Sequence, residues 1–480
     1  MWKRDYYKIS DWRITMREYN ITTSPVTFLD IIELRQEEEI NHHGRMILSG
    51  HITDEQEEEY LGALTGNVWE TVQAVSIDGE VKTLFMGIVT DFSISMINDQ
   101  RKLTLEIMTG SSLMDNQKHF RSYQNPAVTY EKIFKEVVTG YADSAMLFCK
   151  PYKEKSGELI LQYHETDWAF LKRLASRNHQ YFVADSRIKG VRVFYSMPQG
   201  EAFDIPAGSK YTMQKNICEY KEKIYQGMAV SEADCIEYII QCREVHRIGD
   251  YTSLYGMKFY IYKIQSRYEN GELIHCCYLK REKGIEVPEI CNKEIVGCTL
   301  PATVTKVKED KVQVSIINDE NTQQTINIWY AYATVYSTPD GTGWYCMPEP
   351  GDMVRLTLPQ QQERDAFVVN AVHLETDSSD RKDPSYKVLK SKYQKEVRFT
   401  PDSIVITNNK GTRIELTDAE GIHIVSEHAV MLEAAEDLTI SSEKGSLIVA
   451  GDSFVNFKQK GTSIQLDNGI SFVGGNLKIQ

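Results

Sequence analysis

The residues best placed to do chemistry fall in one short run, Tyr163-His164-Glu165-Thr166-Asp167. An imidazole beside two carboxylates is the composition of a general acid–base pair, which would also need a pocket and tuned proton affinities. The same run has a structural reading. Thr166 can cap a helix, and Asp167 would sit at that helix's positive end. The remaining candidates carry less. Glu37-Glu38-Glu39 and Asp54-Glu55-Gln56-Glu57-Glu58-Glu59 bring no further His or Asp at ligand spacing, so both read as solvated faces. The nine cysteines are odd in number and form no C-x-x-C. Cys276 and Cys277 are adjacent in a strand-like run and point to opposite faces. Neither a disulfide framework nor a zinc site is expected, but buried reduced thiols. Gly341-Thr342-Gly343 lacks a following Lys-Ser/Thr and is no phosphate loop, and neither G-x-S-x-G nor H-E-x-x-H occurs. No catalytic, cofactor-binding or metal residue is assigned, and the chain is expected not to be an enzyme.

The elements around that run are mostly strands. Val81 to Thr90 and Leu103 to Ile107 alternate as strands in a first region that reads as strands and charged stretches. Tyr130, Ile133, Phe134, Val137 and Val138 fall on one helical stripe within residues 127–140. Leu159 onward is a strand that runs into a helix after Thr166, with Leu171, Leu174 and either Trp168 or Ala175 as its core face, and a strand follows at Tyr181-Phe182-Val183-Ala184. Strands are expected at Ile236 to Val245, Lys258 to Ile264 and Leu273 to Leu279, with Glu269-Asn270-Gly271 as a hairpin turn. Residues 299–373 suggest a small closed barrel in which Val312, Val314 and Ile316 alternate, as do Ile326 and Ile328.

From Val397 to Ile479, apolar-x-apolar pairs recur about every eight residues. They include Ile414-Leu416, Ile422-Ile424, Val430-Leu432, Leu438-Ile440 and Ile464-Leu466, separated by turn formers such as Asp418-Ala419-Glu420-Gly421. Side chains at i and i+2 share one strand face, so the chain builds a ribbon with one oily side. A lone ribbon has no second layer and leaves open edges. Further copies of the chain, or a single-chain solenoid or sandwich edge, would cover it. The period does not give a copy number.

A net charge of −14 argues against a nucleic-acid partner. The start Met1-Trp2-Lys3-Arg4-Asp5-Tyr6 has no apolar signal core, so any export is expected to proceed without a signal peptide after synthesis in the cytoplasm.

The segment Tyr163-His164-Glu165-Thr166-Asp167-Trp168-Ala169-Phe170-Leu171-Lys172-Arg173-Leu174 resembles a signature of the VgrG and phage tail-spike family. The matching positions are Tyr163, Glu165, Thr166, Asp167, Phe170, Leu171, Arg173 and Leu174, with Tyr181-Phe182 as the aromatic strand that follows. Phe85-Met86-Gly87-Ile88-Val89 is similar to that family's first-barrel strand, and Pro350, Gly351 and Asp352 to the end of its OB-type barrel. The resemblance implies a mainly β fold with inserted helices. Its domains would be a first hub β-barrel at 1–125, a helical insert and second hub β-barrel at 126–298, and an OB-type barrel neck at 299–373. A linker at 374–396 would then lead to an intertwined trimeric β-helix, or β-prism, spike at 397–480. The spike core would be Ile414, Leu416, Ile422, Ile424, Val430, Leu432, Leu438, Ile440, Ile464 and Leu466.

The implied role is a hub-and-spike protein at the tip of a contractile injection machine: a type VI-like system, a phage tail or a phage-tail-like bacteriocin. The homotrimer would dock on an Hcp-like tail tube among baseplate proteins, carry a PAAR-like tip and effector cargo, and pierce the target membrane rather than bind it. With so short a linker, no lysozyme of the kind that some relatives carry is expected between barrel and spike, and no toxin is expected after the strand pattern that runs to Gln480. His423 and His428 are five residues apart and do not form the His-x-His pair of iron-tipped spikes. The competing function is a β-helical enzyme acting on cell wall or polysaccharide. The short period, and the lack of Asp or Glu recurring in register, count against it.

Overall fold

Alternation builds the dominant element, an 11-stranded antiparallel sheet. Its strand order is Tyr19–Ser24, Trp69–Ser76, Val81–Ile97, Gln100–Met108, Arg45–Ile52, Asp30–Glu39, Met257–Glu269, Glu272–Lys280, Ile236–Cys242 and Tyr211–Lys215. Tyr251–Leu254 adds to Met257–Glu269. In the computed structural model the described residues are 19–206, 209–269, 271–371, 373, 381–466 and 468–473. The start at Met1 to Tyr6, where no signal core is expected, Asn270 of the hairpin turn and the last apolar pair, Leu477 and Ile479, lie outside them. The chain is mostly β and divides into two compact units, 1–373 and 374–480. Among the described residues no helix is long and apolar enough to cross a membrane.

The strands expected in two separate hub halves share this one sheet, because Asp30–Glu39 pairs with Met257–Glu269. Lys263 Nζ fastens the seam, 2.9 Å from Glu37 Oε1 and 2.7 Å from Glu39 Oε2. The acidic run at Glu37 to Glu39 is therefore only partly a solvated face: Glu37 is exposed, but Glu38 is buried. Alternation turns Glu38 inward, where Ser186 Oγ donates to it at 2.7 Å. The second acidic run begins helix α1, Asp54–Ala63, which the strand reading of this region did not anticipate. A capping box starts it: Gln56 N donates to Thr53 Oγ1 at 3.2 Å and Thr53 N to Gln56 Oε1 at 2.8 Å.

Helix α2, Tyr130–Val138, buries its whole predicted stripe. Helix α3, Asp167–Ser176, buries Trp168, Phe170, Leu171, Leu174 and Ala175 against it. Helix α4, Ile217–Tyr225, capped by Asn216, was not read from the sequence. Residues 298–369 form a five-stranded sheet, in the order Tyr330–Ala331, Lys311–Ile316, Cys298–Lys308, Met353–Leu358 and Phe367–Val369. A parallel bridge between Tyr332 and Val368 joins its two ends, with Ala333 N donating to Val368 O at 2.7 Å. The strand expected at Ile326 and Ile328 is absent, because Asn327 N instead donates to Gln124 O at 2.9 Å.

In the second unit, Lys387–Lys390, Glu396–Phe399, Ser403–Thr407, Arg413–Thr417 and Gly421–Val425 make an antiparallel meander. Its first strand lies inside the expected linker. The predicted oily pairs fall in register as two continuous rows, Val397–Ile406–Ile414–Ile424 and Phe399–Ile404–Leu416–Ile422. Val455–Gln459, Thr462–Leu466 and Ile470–Val473 form a second meander. The strands expected at Val430-Leu432, Leu438-Ile440 and Leu447-Val449 are not formed within this one chain.

A carboxyl in the first unit's core gives the fold a pH signature. Glu70 is 0 % exposed and lies across from Gly87. Its Oε2 accepts from Val26 N at 3.1 Å, and its Oε1 has no partner among the described residues. Burial pushes it up to about 8, against weaker pulls from the Val26 and Ser24 backbone. Between its ordinary value and that one, the folded chain holds a proton that the unfolded chain has lost, so stability falls as pH rises through this window. Glu70→Gln should remove the loss. In urea unfolding from about pH 5 to about pH 9, the variant should gain on the native protein as pH rises. A constant difference would mean that the native carboxyl is already ionised.

Candidate functional site

The signature segment folds as a strand, a bulge and a capped helix. Ile160–Thr166 pairs with Lys118–Tyr123, and the register slips between His119 and Phe120. His164 is the extra residue, with φ +53°. Before the bulge, Leu159 and Leu161 pack into the core of the 298–369 sheet while Ile160 packs among the helices, so one strand serves two cores. After it, Thr166 caps α3 by accepting from Ala169 N at 3.2 Å and donates to Asp115 Oδ1 at 2.5 Å.

Each carboxylate of the run is taken by a guanidinium. Glu165 holds Arg173 in a fork, Nε to Oε1 at 2.8 Å and Nη2 to Oε2 at 2.8 Å. Arg173 also donates to Leu161 O at 2.7 Å and to Glu363 Oε1 at 2.9 Å. Glu363 Oε2 takes Arg177 Nη2 at 2.6 Å, and Arg177 Nη1 reaches Glu158 at 2.9 Å. Burial works against charge on Arg173, yet Glu363 and Glu165 outweigh it and hold its proton more firmly than usual. Asp167 Oδ1 accepts from Arg121 at 2.8 Å and Gln162 at 2.9 Å, and Oδ2 accepts from Tyr141 at 2.7 Å. His119, not His164, approaches Asp167, at 3.7 Å, and it also meets Glu320 at 2.7 Å. His164 is exposed, with its ring against Tyr163. The acid–base composition of the run is thus spent on ion pairs that tie α3 and its strand to the 298–369 sheet. The adjoining cleft, lined by Glu158, Arg177 and Arg364, holds about 200 Å³, less than a typical ligand pocket.

The structure brings Tyr163, Glu165, Thr166, Asp167, Phe170, Leu171, Arg173 and Leu174 into this junction. Tyr163 stands edge-on to Phe120, and Phe170, Leu171 and Leu174 are fully buried. Pro350, Gly351 and Asp352 lie elsewhere, at a turn with Gly351 at φ +99°. There Asp352 Oδ2 accepts from Glu349 N at 2.8 Å, and Gly351 N donates to Val304 O at 2.8 Å. The residues expected to form a spike core belong to the other unit. Sequence reasoning missed Glu363, Arg177, Arg121, Tyr141 and Glu320. Glu363 follows Gln360-Gln361-Gln362 in a polar run that gives no hint of burial.

Glu363→Gln should leave the buried Arg173 and the partly buried Arg177 short of charge and cost roughly 3–5 kcal/mol in denaturant unfolding. A cost within about 0.5 kcal/mol, typical of a surface change, would show that the network holds nothing.

Residues 61–202, which include the signature, match the family described as phage tail baseplate hub (GPD). No curated protein matches the chain. Among solved structures, an E. coli type VI secretion component, described as structurally similar to the bacteriophage T4 tail proteins gp27 and gp5, shares 12% identity. It aligns over 73% of this chain and 99% of its own at a TM-score of 0.51. The lidded Francisella PdpA–VgrG complex shares 10% over 85% of this chain and 80% of its own, at 0.54. The lidless form shares 9% over 82% and 93%, at 0.53. The chain is similar, over residues 61–202 by sequence and over most of its length by fold, to the baseplate-hub and VgrG proteins of contractile injection machines.

Proposed function

We propose that the chain is the hub and spike of such a machine. Unit 1–373 would be the hub, with two related β-barrels carrying the helices and an OB-type barrel neck. Unit 374–480 would be the spike. The observation that carries the reading is the pair of apolar rows on the meander. Ile414, Leu416, Ile422 and Ile424 are 38, 39, 69 and 58 % exposed, although they stand in line on one face. Val430, Leu432, Leu438, Ile440, Leu447 and Val449 continue the pattern, exposed and without a ladder of their own. Three copies wound about one axis would supply both the missing ladder partners and the cover for the apolar faces. Three hubs held together would raise the local concentration of the tails and favour the winding.

In this role the homotrimer docks on an Hcp-like tail tube among baseplate proteins. A PAAR-like protein closes the tip, with effector cargo behind it. The assembled machine carries the chain out of the cell. Penetration draws on rigidity and on the work of the sheath, so the role asks for no active site.

Ile424→Asp tests the inward face. Three copies would bury three like charges near one axis, so the variant should lose the trimer, or its trimer should melt at lower temperature, by sedimentation and thermal scans. His423→Asp, on the opposite face of the same strand, should leave the trimer intact. A native chain that sediments as a monomer at micromolar concentration would end the proposal, and an unchanged melt for Ile424→Asp would reverse the assigned face.

A further inference from the structure

Two of the nine cysteines, all free, meet inside the large sheet. Cys242 ends the strand Ile236–Cys242, and Cys277 lies on the neighbouring strand Glu272–Lys280. The register pairs Ile240 with Cys277 and Cys242 with His275, so the two thiols are diagonal neighbours on one face. Their sulfurs are 3.8 Å apart. Cys277 is fully buried, whereas Cys242 is half-buried at the strand's end.

The loop after Cys242 supplies an imidazole. His246 lies four residues on, with Nδ1 at 3.6 Å from Asp250 Oδ2. Asp250 is itself anchored by Glu201 N at 2.9 Å and Arg247 N at 3.0 Å, and Phe203 packs on the imidazole ring. The Cys277 thiol, hydrogen-bonded to Cys242, and then His246 outweigh burial and bring Cys242 down to about 6. Burial would lower His246, but Asp250 and Cys242 lift it to about 9. The Cys277 thiol is pushed the other way, by its bond to Cys242 and by burial. One sulfur is thus prepared as a thiolate and the other is held protonated beside it, which is an attacking and a resolving thiol.

We infer that Cys242 and Cys277 are a reversible dithiol–disulfide couple, in which Cys242 attacks a small disulfide and Cys277 closes the cross-link between the two strands. In the first step the Cys242 sulfur bonds to one sulfur of the small disulfide. The S–S bond breaks, and the leaving thiolate takes a proton. In the second, Cys277 gives up its proton and attacks the Cys242 sulfur of the mixed disulfide, expelling the second thiolate, which is protonated in turn. Two protein thiols are oxidised and one small disulfide is reduced to two thiols. His246 is a positioning residue that holds the Cys242 thiolate. The couple stands independently of the injection role.

The test uses the full native chain with 2-hydroxyethyl disulfide as the probe, followed by peptide mapping without reductant. A linked Cys242–Cys277 peptide is expected, while exposed Cys149, Cys218 and Cys346 carry only mixed disulfides. Cys277→Ser should trap the mixed disulfide on Cys242. His246→Gln should slow loss of the Cys242 thiol about tenfold at neutral pH and move its pH inflection upward, with the Cys149 rate unchanged as the internal control. Two results would overturn the couple: Cys242 left unreacted after the exposed cysteines are consumed, or a mixed disulfide on Cys242 that persists in the native chain. An unaltered rate and inflection in His246→Gln would remove His246 from it.

Discussion

The first unit depends on a strand that has no free side. Ile160 faces the helices, while Leu159 and Leu161 face the closed sheet at 298–369, so neither core can form fully without fixing that strand. The ion network above it makes the same demand in charge. Arg173 and Glu363 are separated by 190 residues and are both almost wholly buried. A buried guanidinium without its carboxylate is far costlier than the net gain of the pair. The network therefore contributes less to total stability than to the requirement that helix and sheet meet in one arrangement.

Local physics was legible in the sequence, and distant partnership was not. The stripe of α2, from Tyr130 to Val138, and the cap of α3 at Thr166 are written within a few residues of where they act. The box that starts α1 was equally local, in Thr53 and Gln56, but the carboxylates that follow drew it into a reading as mere solvated charge. Glu38 was misjudged for a related reason: a row of like residues hides the alternation that sends every second one inward. Glu363 could not be found at all. Its burial is decided by a guanidinium far away in the chain, and nothing among its polar neighbours records that. The acid–base look of His164, Glu165 and Asp167 misleads in the same way, because composition does not say which partners the carboxylates already have.

The second unit shows the limit from the other side. Its period was readable, and the rows through Ile414 and Ile424 stand where alternation put them. Whether a given pair becomes a strand is a different matter, since a strand needs a neighbour to exchange hydrogen bonds with. Where hairpins supply one, at Ser403–Thr407 and Arg413–Thr417, ladders form within the chain. Where they do not, around Val430 and Leu447, the apolar spacing persists without the ladder. Side-chain pattern and backbone pairing are separate specifications, and here a single chain carries the first further than the second.

The bulge at His164 has a consequence of arithmetic. A strand counts in twos, and its odd and even members belong to opposite faces. Ile160 and Gln162 belong to the face of the helices. Without an interruption the next member of that set would be His164, and Glu165 would fall with Leu161 against an apolar core. The extra residue resets the count, so Glu165 joins the even set and meets Arg173. The segment is therefore a frame in which length carries meaning. Were the ladder to run straight through His164 without the bulge, no residue type would change, yet the carboxylate would be delivered to the wrong side of the sheet.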